Sequence, residues 1–142
     1  MNTVSTIARY LLGFIFLTFG LNGFLHFIPM PPPTVIAGQF LGAIVVSRLY
    51  VVPFLLQIVP ALLLLANRYI PLALTILGAI VFNILCIHIF MAPAGLPLAL
   101  LVTILWFLTA WSVRSSFAPI LQLEPNSIPG GAKLCPTTYR RC

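Results

Sequence analysis

Four long apolar runs, separated by prolines or by short polar turns, make up most of the chain. They cover residues of about 7–28, 51–66, 69–91 and 98–113. A helix needs about 20 mainly apolar residues to cross a bilayer, and the runs approach or exceed that length. The pattern therefore predicts an all-α integral membrane protein, in which residues 1–121 form a four-helix bundle of transmembrane spans.

The segment between the first two runs is shorter and more mixed. Residues 34–50 are mostly apolar but include Gln39 and Arg48, and they follow a cluster of prolines that ends the first span. This composition suits a helix on the membrane surface, or one folded back into it, better than a further complete span. We therefore predict an extra interfacial or re-entrant helix between spans one and two.

The composition excludes a water-soluble protein. Hydrophobic residues make up 61% and charged residues 6% of the 142 residues, whereas soluble domains carry about 25% charged residues. A net charge of +6 would suggest nucleic acid binding in a soluble chain. Here the arginines mostly stand singly at the ends of apolar runs, where such charges set membrane orientation. We expect the lipid bilayer as partner and no nucleic acid.

The flanking charges also predict an orientation. Four spans place both termini on one side, and most basic residues fall on that side, with Arg48 as the exception. Basic residues favour the cytoplasmic face, so we predict that both termini are cytoplasmic. Residues 122–142 are rich in proline, glycine and basic residues and contain Cys135 and Cys142. We predict that they form a disordered basic cytoplasmic tail.

Five amide or imidazole side chains interrupt the spans at similar depths. With about 1.5 Å of rise per residue, all of them fall in the outer half of the predicted bundle. They are Asn22, His26, Gln57, Asn83 and His88. Lipid cannot satisfy such groups, so their matched depth predicts one outward-facing polar pocket, with Arg48 at its mouth. Asn22 and His26 share a helix face, whereas Asn83 and His88 are about 140° apart.

The same side chains allow other interpretations. The amides could simply join helices through hydrogen bonds, worth about 0.6 kcal/mol each, as in a structural or assembly protein. The two histidines could lie at the membrane surface, contact a quinone or serve proton-linked chemistry. His26 and His88 also permit haem ligation, which nothing else in the sequence favours. No further histidine is present to complete a metal site, so no metal is expected.

Catalysis and transport lack the residues they need. The only acidic residue is Glu124, outside the spans, so no set of nucleophile, base and acid can be assembled in the membrane. The polar residues stop near the midplane, which leaves a transport path incomplete. We predict no catalytic residue, and any enzymatic role would be as part of an oxidoreductase complex.

Three stretches carry a resemblance to a known family. They are LLGFIFLTFGLNGFLHFIPMPPP, QIVPALLLLANRYIPLAL and FNILCIHIFMAPAGLPLALL. From about residue 9 to 121 the chain resembles the DoxX family of small four-span bacterial membrane proteins. The resemblance implies a four-helix bundle in the bacterial plasma membrane. Some members of the family are associated with redox systems, namely a thiosulfate:quinone oxidoreductase and a membrane oxidoreductase complex that handles thiol stress.

The resemblance also bears on individual residues. Asn22, His26, Asn83 and His88 match recurrent polar positions of the family, but Gln57 stands in the span where a glutamate is common. Without that carboxylate the most plausible proton acceptor is missing. We therefore expect an accessory subunit of a membrane redox system, alone or oligomeric, whose pocket binds a quinone-like or other amphipathic ligand or docks a redox partner. The alternative is a purely structural membrane protein.

Overall fold

The structure, a computed structural model, describes residues 3–29 and 32–117. Within these ranges every regular element is helical, which confirms the all-α prediction. The helices are α1 (Thr3–Leu25), α2 (Val35–Val46), α3 (Val51–Leu65), α4 (Ile70–Phe90), α5 (Leu96–Ser112) and α6 (Arg114–Phe117), with a 3₁₀ turn at Pro93–Gly95. The predicted tail at 122–142, with its two cysteines, lies outside the described residues.

Helices α1, α3, α4 and α5 form a ring in which each packs against two neighbours. Gly13 of α1 lies beside Leu65 at the end of α3, and Gly23 lies beside Phe54 near the start of α3. The two helices are therefore antiparallel. Short connections at 66–69 and 91–95 then reverse the chain between α3, α4 and α5. The result is an up–down–up–down bundle.

The two ends of this bundle differ in what they contain. At the α2 end, α1 and α4 finish, α3 and α5 begin, and α2 connects α1 to α3. Phe24 and Tyr50 meet there with ring centroids 6.1 Å apart. At the N-terminal end, α1 and α4 begin and α3 and α5 finish. Arg9 and Asn67 are hydrogen-bonded there.

Three helical segments are long and apolar enough to cross a membrane: Thr3–Leu25, Ile70–Phe90 and Pro93–Ser112. A fourth is counted if α2 and α3, which are bent by 87° at their junction, form one broken span. Alone, α3 has 15 residues. That is about 22 Å of helix, against a hydrocarbon core of about 30 Å. The described residues thus contain three or four helices that are long and apolar enough to cross a membrane, and the second predicted span is the short one.

Helix α2 is attached to the bundle mainly through its first turn. The Thr34 hydroxyl accepts a hydrogen bond from the Ala37 N–H at 3.3 Å, which caps the helix. The same hydroxyl donates to the Met91 carbonyl at 2.6 Å, just beyond α4. Further along, α2 is mostly exposed, and Val46 at its end is 87% exposed. Helix α2 lies within the segment 34–50 for which an extra helix is predicted.

The core of the bundle is apolar, and so is its outer surface. Leu12, Leu64 and Leu77 are fully buried between helices. In contrast, Phe82 and Phe107 point outward and are more than half exposed. Large side chains on the outside are expected where lipid, not water, surrounds the helices.

Candidate functional site

A cavity of about 230 Å³ lies inside the bundle, in the half nearer the α2 end, and all four bundle helices line it. Most of its wall is aliphatic or aromatic. The apolar side chains include Phe16 and Phe19 of α1, Phe54 of α3, and Leu98 and Val102 of α5. Two polar side chains, Gln57 and His88, also line it. An apolar cavity with a few polar groups is the usual form of a small-molecule site.

Gln57 is the polar group that α3 contributes. It is buried, with 8% of its surface exposed, and its Cβ lies next to Gly20, where α1 approaches closely. No hydrogen bond joins its amide to another described residue. A glutamine amide offers two N–H donors and one carbonyl acceptor, and leaving them unpaired in an apolar wall is unfavourable. The amide is therefore available for a ligand.

His88 is the polar group that α4 contributes. Its Nδ1 lies 2.8 Å from the Ile84 carbonyl oxygen. Because a carbonyl only accepts, Nδ1 carries the proton, and Nε2 of the neutral ring is then an acceptor. The Nε2–Cδ2 edge lies against Gly95, where an added Cβ would overlap the ring. The glycine of the turn before α5 thus fixes where the imidazole can sit.

Asn22 and His26 lie at the same end of the bundle but do not line the cavity. The Asn22 side chain is buried, and its Oδ1 accepts a hydrogen bond from the Ile28 N–H at 2.7 Å. The His26 N–H donates to the Asn22 carbonyl at 2.9 Å, with His26 in the left-handed region at φ 51°. These contacts end α1 and turn the chain toward the prolines. The His26 ring itself is exposed.

Asn83 and Arg48 are also placed away from the cavity. Asn83 lies on the outer surface of α4, while His88 faces inward, as their angular separation of about 140° implies. Arg48 is exposed in the connection between α2 and α3, with φ 57°. Of the six residues that the sequence analysis joined in one pocket, the structure brings together Gln57 and His88.

The N-terminal end contains a polar contact that the sequence analysis missed. Arg9 stands at the start of an apolar run, where a flanking charge is expected, but it is only 3% exposed. A guanidinium N–H of Arg9 donates to the Asn67 Oδ1, and the group lies 4.6 Å from the Tyr10 ring centroid. Helical spacing could have shown this, because Arg9 shares a face with the buried Leu12 and Phe16.

Metal and haem ligation find little support in the part of the chain that is described. No group of three His, Cys, Asp or Glu side chains comes together within 3–29 and 32–117. His88 lines the cavity, while His26 lies outside it. The two imidazoles are therefore not presented to a common haem.

Comparison with known proteins gives no match to a family model, to a curated protein or to a solved structure. The resemblance to the DoxX family therefore depends on the three sequence stretches quoted above.

Proposed function

We propose that this protein is a DoxX-like membrane subunit whose cavity binds the head group of a quinone-like, amphipathic ligand on behalf of a membrane redox system. One observation supports this above all: Gln57 and His88, two hydrogen-bonding side chains from different helices, share an otherwise apolar cavity. The role is to bind and position a ligand, because no described residue carries a carboxylate that could complete a catalytic set.

The size of the cavity indicates the kind of ligand. An engineered cavity of about 150 Å³ accommodates benzene. The volume of about 230 Å³ here suits a single substituted ring. It is too small for a long isoprenoid chain, which would have to pass between the helices into the lipid. An amphipathic molecule with one ring and an apolar tail fits these limits.

The hydrogen-bonding groups indicate the substituents on that ring. The Gln57 amide can donate to a ring carbonyl or accept from a hydroxyl. His88 uses Nδ1–H for the Ile84 carbonyl, so the remaining acceptor of its neutral ring is Nε2, on the edge beside Gly95. A ring with one hydroxyl toward His88 and an oxygen toward Gln57 satisfies both groups. A quinol or another phenol has that pattern, and a quinone could use the Gln57 amide.

The membrane setting is part of the same proposal. We place the protein in a bacterial plasma membrane with both termini cytoplasmic, which the excess of arginines at the N-terminal end supports. The α2 end then faces outward, with α2 along that interface. Asn83 is an amide on the outer surface of α4, where lipid offers no hydrogen bond. We propose that a partner oxidoreductase subunit contacts this face.

Ligand binding to the purified protein in lipid nanodiscs tests the proposal. We expect saturable binding of ubiquinol-1, a short-chain quinol, and a loss of about five- to tenfold in affinity for Gln57→Leu and for His88→Leu, as for the loss of one hydrogen bond. Asn83→Leu is the matched control, because it removes the same kind of group outside the cavity. Absence of saturable binding to the wild type, or equal losses in all three variants, would reject this role.

A structural role is the second candidate, and specific contacts favour it. The hydrogen bonds of Asn22 at the end of α1 and of Arg9 with Asn67 hold helix ends together. In this hypothesis the protein stabilises an assembly. The cavity then binds no ligand. It predicts that Asn22→Ala lowers thermal stability, and that neither Gln57 nor His88 affects the binding of any quinol.

A further inference from the structure

A second recess, independent of the cavity, lies at the N-terminal end of the bundle. It is a groove of about 570 Å³ between the first turn of α1 and the last turns of α5 and α6. Three hydroxyl side chains and one guanidinium line it, together with an indole. These are Ser5, Ser112, Ser115, Arg114 and Trp111. The proposed redox role uses none of them.

Within residues 3–29 and 32–117, the guanidinium in this groove faces no acidic side chain. The chain has seven basic residues and one acidic residue, and that acid lies outside the described part. The Arg114 guanidinium lies 4.8 Å from the Trp111 ring centroid, in a cation–π contact that orients it and leaves its N–H groups available. An exposed guanidinium with free N–H groups can pair with a negatively charged group such as a phosphate.

Ser5 provides a second, separate indication of a ligand. The residue is only 7% exposed, and its Oγ is buried without any hydrogen-bond partner. A buried hydroxyl without a partner is unfavourable, so a molecule that hydrogen-bonds to it would be stabilised. Ser112 is different, because its hydroxyl already donates to the Thr109 carbonyl at 2.7 Å. The free donors of the groove are therefore those of Ser5, Ser115 and Arg114.

We propose that this groove binds the phosphate of an anionic phospholipid. The groove lies at the end of two membrane helices, beside Trp111, which is 70% exposed, as tryptophans at the membrane interface are. Basic pockets between membrane helices bind lipid head groups. Val4 and Leu108, on either side, are apolar and exposed and can pack against the acyl chains. A soluble anion would gain nothing from those two side chains.

Native mass spectrometry of the full chain in detergent, titrated with phosphatidylglycerol, tests this site. We expect one tightly held phosphatidylglycerol, with phosphatidylcholine bound about tenfold more weakly. Arg114→Gln should weaken phosphatidylglycerol binding about fivefold, as for one basic group near the membrane surface. Ser5→Ala should weaken it about threefold, as for one neutral hydrogen bond.

Matched controls come from the same end of the bundle. Arg68 and Ser116 are exposed and do not line the groove. Arg68→Gln and Ser116→Ala should therefore leave the affinity within about twofold of wild type. Equal losses for Arg68→Gln and Arg114→Gln would show diffuse attraction and overturn the site. Displacement of the lipid by inorganic phosphate at a comparable concentration would overturn the lipid assignment, because the acyl chains would then add nothing.

Discussion

The two recesses of this bundle, the cavity near the α2 end and the groove at the N-terminal end, differ in charge. The cavity has a neutral amide and an imidazole set among apolar side chains. The groove has Arg114 on its rim, and Arg9 lies buried nearby, hydrogen-bonded to Asn67. Charges are costly deep in a membrane, while neutral polar groups cost less. The difference agrees with the position of each recess: the charged side chain lines the groove at the end of the bundle, and the neutral polar side chains line the cavity inside it.

The largest expected effect concerns the contribution of the buried Arg9 to the stability of the N-terminal end. Asn67→Gly removes the acceptor of the Arg9 hydrogen bond while still allowing the left-handed backbone of residue 67 (φ 57°). We expect the free energy of unfolding to fall by about 2 kcal/mol, as for a hydrogen bond to a charged group. Thermal unfolding in detergent would measure it.

Two further measurements make this result specific. Asn67→Asp keeps an acceptor and adds a charge opposite Arg9, so its stability should match or exceed that of the wild type. Quinol affinity at the cavity should be unchanged in both variants, since the cavity lies in the other half of the bundle. A loss of quinol affinity in Asn67→Gly would show that the two ends of the bundle are coupled and would contradict their independence.

The next effect concerns the position of the His88 ring in the cavity. In Gly95→Ala the added methyl group overlaps the imidazole edge, so the ring has to move. We expect quinol affinity to fall about tenfold, because one hydrogen bond and the fit of the ring are lost together. Gly42→Ala is the matched control, since nothing lies within 4 Å of a Cβ there. Unchanged affinity in Gly95→Ala would separate His88 from the ligand.

The smallest effect asks whether the cavity is built for binding or for stability. Gln57→Leu replaces an unpaired buried amide by an apolar group of similar size. Without ligand, we expect the variant to be more stable by up to about 1 kcal/mol, because the cost of the unpaired amide disappears. Chemical or thermal unfolding of the ligand-free protein measures this difference in the free energy of unfolding. A clear loss of stability would instead favour the purely structural role.

The sequence predicted the helices well because prolines and short polar turns separate them. The predicted spans at 51–66, 69–91 and 98–113 correspond to α3, α4 and α5 within two residues at each end. Pro93 begins the turn before α5, and Pro97 lies in the first turn of α5, where a helix tolerates proline. The first span is displaced toward the N-terminus, because Asn22 and His26 end α1 before the proline cluster.

The candidate site was harder to predict because depth along a helix does not specify direction around it. Asn83 and His88 lie close together in sequence, yet one is exposed and the other lines the cavity. Asn22 lies at about the depth of the cavity, but its Oδ1 accepts a hydrogen bond from the Ile28 N–H. Arg9 shows the converse, since a basic residue at the start of an apolar run is buried by packing between helices. Such outcomes depend on neighbours that a single sequence does not display.

The hydrogen bond between the Thr34 hydroxyl and the Met91 carbonyl couples the position of α2 to that of α4. Met91 follows His88 by three residues, and its N–H is bonded to the Ile87 carbonyl. Through the Thr34 hydroxyl, a pull on the loosely held α2 is passed to the last turn of α4. A protein that binds α2 and displaces it would therefore also displace the last turn of α4, which carries the His88 imidazole. The Thr34 hydroxyl is the link between the two helices.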